Sequence, residues 1–243
     1  RSLEDPNVIR LHNVLLSVLA EDIRHPGACH LLVHATESTA TPELAAPCAR
    51  YLGQSIPGAS HINHMPSHTW NEMGLWHDAV RSNTKAWHSD QKAAIGKGFA
   101  IYPTHNLTML YYAASMGGES ASAIQAAKDL AKLNGNTAMW SMALVRFGRF
   151  DEVLEIEQAP NGEVNQAMFD FSRGYAALKT GDRTRAQEIR QALAELAATT
   201  TSRFRFHNGS DIIGTLAHIL AGEIAWSDGN LEMAVTEFRK ATE

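Results

Sequence analysis

The sequence contains few cysteines and carries no excess of basic charge. Cys29 and Cys48 are its two cysteines. Because two cysteines cannot build a disulfide framework, we interpret them as small buried apolar side chains, and the redox compartment stays open. Lysine and arginine together number 21 against 26 acidic residues, and the net charge is −5. Since no basic stripe follows the chain, we expect no nucleic-acid partner.

Long apolar runs are also absent. No stretch approaches the roughly 18 consecutive apolar residues that a membrane-spanning helix needs, so we expect no membrane span. The strict two-residue alternation of strands is rare, and apolar residues recur instead at helical spacing among frequent Ala, Leu and Met. The chain is therefore predicted to be all-α. It begins at Arg1 without a Met or a signal peptide, so we expect a processed chain or a part of a longer one.

A turn glycine recurs along the chain with a small or β-branched residue five positions later. An aromatic side chain follows the glycine by two positions at Trp76 and Phe150. The glycine accommodates the left-handed backbone of a helix end, and the small residue lets the next helix pack closely. This pattern predicts helix–turn–helix repeats. The pairs are Gly74 with Ala79, Gly118 with Ala123, Gly148 with Val153, Gly181 with Ala186, and Gly229 with Ala234.

These features resemble the tetratricopeptide repeat, a helix–turn–helix unit of about 34 residues. The unit around Gly229 fits it best, and the resemblance covers most of residues 26–243. It implies a right-handed α-solenoid of antiparallel helix pairs over residues 1–243. Residues 25–118 would form a histidine-rich part of this solenoid, and residues 119–243 would add further repeats. A generic helical bundle is the alternative fold.

The histidines are concentrated in one part of the chain and follow the repeat. Nine of the 12 histidines fall within residues 25–105. His30 and His34 each recur 34 positions later, at His64 and His68. Two adjacent repeats therefore carry histidine at the same two places of their first helix.

Two stripes of candidate metal ligands result on neighbouring helices. Residues at i, i+3, i+4 and i+7 share a helix face, and neighbouring helices pack about 10 Å apart, so the stripes can converge. Neutral imidazole is the commonest protein metal ligand, and a metal site is therefore predicted. The alternative is that these imidazoles fill helix contacts or bind an anionic peptide. The candidate ligands are His30, His34 and Glu37 in one stripe, His61, His64 and His68 in the other, and His105 from a third repeat.

Pro66 interrupts the second stripe. A proline inside a helix removes a hydrogen bond, so we expect a helix to begin at Pro66. His61 and His64 would then lie in a preceding turn and point elsewhere. His68 is accordingly the safest ligand of the three.

Local strings around these residues resemble a group of bacterial tetratricopeptide proteins. The segments HPGxxHxxxHxxE from His25, HxxHMPSH from His61 and HN from His105 match over residues 25–106. The resemblance implies a shared site but no settled activity. Because members are often longer at the N-terminus, we expect this chain to be the C-terminal part of such a protein. An N-terminal domain or partner chain would then be missing, and we expect a soluble protein of the bacterial cytoplasm or periplasm.

The donor set favours a metalloenzyme with a mono- or dinuclear site. The resemblance to tetratricopeptide solenoids implies that this site lies in the concave groove, which the first helices of the repeats line. Zinc would activate water, with Glu37 as a ligand or as the catalytic general base, whereas copper or iron would react with dioxygen. Three imidazoles on each of two ions would resemble a coupled dicopper centre. The alternative is a non-catalytic module that binds a small molecule or peptide, with structural or stored metal or with none. The residues expected to orient the ligands or to touch a substrate are His25, Asn71, Asn106 and Tyr112.

Overall fold

The computed structural model describes residues 5–97 and 99–243. This part of the chain is mostly helical, which confirms the all-α prediction at the level of secondary structure. None of its helices is both long enough and apolar enough to cross a membrane. The chain divides into two compact units, residues 1–126 and residues 127–243.

The first unit consists of helices joined by short turns. Proline occupies the first helical position at Pro6, Pro26, Pro66 and Pro103. At that position the missing N–H breaks no intrahelical bond and the fixed φ suits the helix. The prolines therefore set where four helices begin. The helices are α1 (Pro6–Glu21), α2 (Pro26–Thr36), α3 (Ala46–Ser55), α4 (Ser60–His64), α5 (Pro66–Glu72), α6 (Trp76–Ala94) and α7 (Pro103–Met116), with a 3₁₀ turn at Pro42–Ala45, and α8 (Ser120–Asn134) continues across the boundary.

The second unit is also helical. A short antiparallel hairpin precedes α13 and pairs Phe204 with His207. An apolar core, which includes Phe171, Leu193 and Leu220, lies between α11, α12 and α13. The elements are α9 (Ala138–Arg146), α10 (Phe150–Leu154), α11 (Glu163–Lys179), α12 (Arg183–Thr199), β1 (Arg203–Phe204), β2 (His207–Asn208), α13 (Gly209–Ser227) and α14 (Leu231–Lys240).

The glycine turns predicted from the sequence share one hydrogen-bonded geometry. In each turn the glycine has a positive φ, between 70° and 99°. The residue after the glycine donates its backbone N–H to the carbonyl of the residue five positions before that donor. This is the longer-range bond of the Schellman motif. The residue five positions after each glycine is buried, between 0% and 4% exposed. These bonds join Leu75 to Trp70, Glu119 to Ala114, Arg149 to Leu144, Asp182 to Ala177, and Asn230 to Ala225.

The aromatic that follows a turn glycine contacts a tyrosine of the next helix in both units. The ring centroids of Trp76 and Tyr112 lie 5.9 Å apart, and those of Phe150 and Tyr175 lie 6.0 Å apart. The same local contact therefore recurs at equivalent positions of separate helix pairs.

Cys29 and Cys48 form a disulfide bond that joins α2 to α3. Both are buried as predicted, at 0% and 1% exposed, but their interpretation as unbonded apolar side chains is wrong. The two helices pack around Leu32 and Leu52, and this contact brings the two sulfur atoms together. The bond anchors the helix that carries His30 and His34.

Candidate metal centre

Imidazoles from four helices of the first unit meet in one cluster. Helices α2 and α4 contribute two each, and α5 and α7 contribute one each. Neighbouring rings have centroids 4.6 to 6.4 Å apart. The structure thus brings together every histidine predicted as a ligand. We call this set the histidine cluster, and its members are His30, His34, His61, His64, His68 and His105.

The histidine cluster divides into two triads, each of which could hold a metal ion. The first triad is His30, His34 and His61, and the second triad is His64, His68 and His105. Within each triad, one nitrogen from each ring lies within 4.8 Å of the other two. Glu37 forms a third, overlapping group with His34 and His68.

The second stripe divides within α4, between His61 and His64, and not at Pro66 as the sequence predicted. Helix α5 begins at Pro66 as expected, but α4 and Met65 keep right-handed helical backbone immediately before it. His64 Nε2 therefore lies 2.8 Å from His68 Nε2, and the expectation that His64 points elsewhere is wrong. His61 is the residue that turns toward another helix, since its Nε2 lies 3.3 Å from His30 Nε2.

The tautomer of His64 is fixed by Asn83 of α6. The Asn83 amide nitrogen donates to the Ala79 carbonyl at 3.0 Å, so its Oδ1 must face His64. That oxygen lies 2.7 Å from His64 Nδ1 and also accepts from the Ser67 hydroxyl at 3.2 Å. An amide oxygen can only accept hydrogen bonds. His64 therefore carries its proton on Nδ1 and exposes a lone pair at Nε2.

Glu37 fixes the tautomer of His68 in the same way. Its Oε2 lies 2.5 Å from His68 Nδ1, and its Oε1 lies 3.1 Å from His34 Nδ1. Burial raises the pKa of Glu37, but hydrogen bonds from His34 and His68 outweigh burial and lower it to about 2. The ionised carboxylate therefore accepts the Nδ1 protons of both rings. While these two rings are neutral, their Nε2 atoms carry the lone pairs.

Two nitrogen lone pairs consequently face each other between His64 and His68. At 2.8 Å, two unprotonated Nε2 atoms repel unless a cation lies close to both. Either a proton or a metal ion can fill that role, because both bind imidazole lone pairs. This juxtaposition is the clearest chemical feature of the histidine cluster.

Burial keeps several of these imidazoles in the form that binds metals. Burial, together with repulsion from neighbouring imidazoles, lowers the pKa of His61 to about 4. The pKa of His30 is also lowered, and that of His64 lies well below its usual value, in both cases chiefly through burial. Since metal ions bind neutral imidazole, these three side chains could coordinate a metal ion near neutral pH.

The residues predicted to orient ligands or touch a substrate occupy different environments. His25 accepts from the Ala28 N–H at 3.1 Å and caps the start of α2. Asn106 donates to Asp90 at 2.8 Å. Both polar side-chain atoms of Asn71 are buried and have no hydrogen-bond partner in the described part of the chain. Tyr112 is 45% exposed and contacts Trp76.

Asn83 and Tyr102 contact the histidine cluster and were not predicted. The Tyr102 ring lies 5.8 Å from that of His61. Asn83 is 0% exposed in the middle of α6. Asparagine is unfavourable inside helices, so its position four residues after the packing residue Ala79 was a usable signal. Tyr102 lies outside any helix and offered none.

Comparison with known proteins does not assign the chain to a family. No protein-family model matches the sequence, and no curated protein shows significant similarity to it. The chemistry of the histidine cluster must therefore be judged from its own geometry.

Proposed function

We propose that the chain is a metalloenzyme whose histidine cluster binds a transition metal. The observation that carries this proposal is the pair of Nε2 atoms of His64 and His68, which lie 2.8 Å apart while both Nδ1 protons are engaged elsewhere. A bound metal ion relieves the repulsion between them. A carboxylate or amide behind a metal-bound imidazole is the usual means of holding its ring.

The number of ligands favours catalysis over a structural metal. A structural zinc site is normally closed by four protein ligands, whereas catalytic zinc has three and keeps one position open. Each triad offers three imidazoles. The side chains of His34 and Glu37 are 37% and 30% exposed, so solvent or a small molecule can reach this side of the cluster.

Imidazole ligands suit copper, zinc and iron. Zinc would supply an activated water for hydrolysis, and copper or iron would supply dioxygen chemistry. The chain's own contribution is to hydrogen-bond the Nδ1 atoms of His34, His64 and His68, so that the Nε2 atoms of His64 and His68 face each other. A small molecule or peptide would bind beside the triads.

We propose a tetratricopeptide-type solenoid as the setting of this site. The turn geometry that recurs at Gly74, Gly118, Gly148, Gly181 and Gly229 supports this fold. So does the contact of His34 with His68, 34 positions later in the chain, whose ring centroids lie 4.9 Å apart. An experimental structure in which successive helix pairs stack with another handedness or order would contradict it.

Metal content is the first test of the proposed function. Protein purified without an affinity tag should contain bound copper, zinc or iron by elemental analysis. His34→Ala and His68→Ala should each lower the occupancy. His77→Ala is the matched control, because its side chain is 72% exposed and pairs with Glu119 outside the histidine cluster. The proposal is wrong if metal-free protein binds none of the three ions when copper, zinc or iron is added.

Activity separates an enzyme from a metal-storing module. The zinc form should hydrolyse 4-nitrophenyl acetate, or the copper or iron form should consume dioxygen in the presence of a phenol. His68→Ala should abolish whichever rate is found, and His77→Ala should retain it. Full metal occupancy without either rate would favour the non-catalytic module.

A further inference from the structure

Three candidate metal groups overlap in the histidine cluster, and they cannot all be filled at once. His34 and His68 each belong to two groups, one of which includes Glu37. If Glu37 binds the ion, His34 and His68 turn their Nδ1 atoms toward it, and their Nε2 atoms cannot serve the triads. Filling the two triads instead uses all six imidazoles once and leaves Glu37 without a metal.

The hydrogen bonds favour filling the two triads. The tautomer of His64 is set by Asn83, so its free lone pair is at Nε2, which faces His68 Nε2 and not Glu37. In the first triad, the Nε2 atoms of His30 and His61 face each other at 3.3 Å. A group built on Glu37 would leave His30 and His61 with no third ligand.

The position of Glu37 links the two triads. Its two oxygens contact one imidazole of each triad, His34 at 3.1 Å and His68 at 2.5 Å. The rings of these two histidines are themselves 4.9 Å apart between centroids. One carboxylate therefore holds a ligand of both triads and adds one negative charge beside them.

We propose that the centre holds two first-row transition-metal ions, one in each triad, and that Glu37 is a positioning residue shared by both and binds neither. This inference rests on the proposed function and makes it more specific. Glu37 acts through His34 and His68, whose Nδ1 protons it accepts. It differs from the prediction of Glu37 as a ligand or general base.

Stoichiometry tests the number of ions. Metal-free protein is titrated with Zn²⁺ against a chromophoric chelator. Wild type and His77→Ala should bind two equivalents, while His30→Ala and His105→Ala should each bind one. The circular dichroism of each variant verifies that it is folded. One equivalent in wild type overturns the two-ion proposal but leaves the proposed function intact, whereas no binding overturns both.

Variants of Glu37 test its role. Glu37→Gln should still bind two equivalents of Zn²⁺, with both affinities weakened by about 10- to 100-fold, the range seen when groups behind metal ligands are changed. Glu37→Asp should recover part of the affinity. Loss of one equivalent in Glu37→Gln with the other unaffected would identify Glu37 as a ligand and overturn the positioning role.

Electron paramagnetic resonance tests whether the two ions are neighbours. With two Cu²⁺ ions bound to wild type, the dipolar interaction between neighbouring ions should broaden the electron paramagnetic resonance spectrum and produce a half-field transition. His105→Ala, with one ion, should show neither effect. Absence of both effects in doubly loaded wild type would show that the ions are not neighbours and would contradict the proposal.

Discussion

The orientation of His64 depends on a side chain that cannot bind the metal well itself. The Asn83 amide nitrogen donates a hydrogen bond to the Ala79 carbonyl, and its oxygen accepts hydrogen bonds from His64 and Ser67. His64, Ser67 and Asn83 are all 0% exposed. In such a closed environment an unpaired polar atom is costly, so each member keeps the others in place.

Replacing Asn83 with Leu should weaken metal binding without removing a ligand. We expect Zn²⁺ affinity at the second triad to fall by about 10- to 100-fold. The free energy of unfolding of the metal-free protein should fall by about 1–3 kcal/mol, because His64 and Ser67 lose a buried partner. Chelator competition and urea unfolding measure the two effects.

Ser141→Ala is the control for this variant. It removes a buried hydrogen bond of 3.1 Å to Ser172 in the second unit. It should lower stability but leave Zn²⁺ affinity unchanged. Unaltered affinity in Asn83→Leu would show that the tautomer of His64 does not depend on Asn83.

At the scale of residues, the sequence predicts ligands better than the groups behind them. His30, His34, His64 and His68 were found because a repeat places equivalent side chains side by side. Asn83 has no repeat partner, and its contact depends on how α6 packs against α4 and α5. The partition into triads also escaped prediction, since His61 and His64 lie on the same short helix α4 but belong to different triads.

Helices in the second unit pack so closely that one glycine decides the spacing. A Cβ placed on Gly222 of α13 would lie 2.5 Å from Phe238 Cε1 of α14. No real side chain tolerates that approach, so the Phe238 ring or α14 itself must shift if the glycine is replaced.

Gly222→Ala should therefore lower the free energy of unfolding by about 1–3 kcal/mol, the usual cost of overpacking. Gly214→Ala lies on the same helix and is the matched control. Its new Cβ would meet Ala197 at an ordinary 3.9 Å, so it should gain up to about 1 kcal/mol from helix propensity. Urea unfolding followed by circular dichroism compares them. Equal stability of the two variants would refute the packing argument.

The break between α4 and α5 lies between two ligands of the second triad, because His64 precedes Pro66 and His68 follows it. Pro66 cannot donate the hydrogen bond that would join the two helices into one. Pro66→Ala restores that N–H, so the helices should merge and the 2.8 Å approach of His64 Nε2 to His68 Nε2 should change. We expect affinity at the second triad to fall about 10-fold, as measured by Zn²⁺ titration.

Pro6→Ala is the control for the break. Pro6 also begins a helix, but it is preceded by the capping residue Asp5 and carries no candidate ligand nearby. Its Zn²⁺ affinity should match wild type. Unchanged binding in Pro66→Ala would mean that the proline does not position His64 against His68.

Helix ends were predictable from the sequence to a large extent. Turn glycines and first-turn prolines act on the backbone next to them. The end of a helix before Gly74 and the start of a helix at Pro103 can therefore be predicted without any information about tertiary packing. The hairpin at Arg203–Phe204 and His207–Asn208 was not predicted. Two-residue strands are too short to show alternation.

For the molecule as a whole, the disulfide constrains α2, one of the four helices that carry the histidine cluster, by joining it to α3. Cys29 and Cys48 are 19 residues apart in sequence. Closing a loop of this size restricts the unfolded chain and stabilises the fold by about 3 kcal/mol. The double variant Cys29→Ala/Cys48→Ala should lose roughly this amount.

Hydrogen exchange locates that loss. Peptides from α2 and α3 should exchange faster in the double variant, and reduced wild type should behave like it. Peptides from α11 to α13, which lie in the other unit, provide the reference. Identical exchange in oxidised and reduced protein would show that the bond contributes nothing to stability.

Metal removal should destabilise the protein by mass action. A free ion at about 100 times its dissociation constant stabilises the folded state by about 2.7 kcal/mol. Removal of the metal by a chelator should therefore lower the melting temperature. Addition of the metal should protect amide hydrogens from exchange, chiefly in α2, α4, α5 and α7. Protection that rises in none of these helices on metal addition would place the ions elsewhere.

Unequal enclosure of the ligands sets the direction from which an ion arrives. His64 is 0% exposed, whereas the side chains of His34 and Glu37 are 37% and 30% exposed. If the histidine cluster binds metal as proposed, a hydrated cation from bulk water would first meet the side of the cluster that carries His34 and Glu37. Loading should proceed inward from that side, and the innermost imidazole should be the last to exchange its ion.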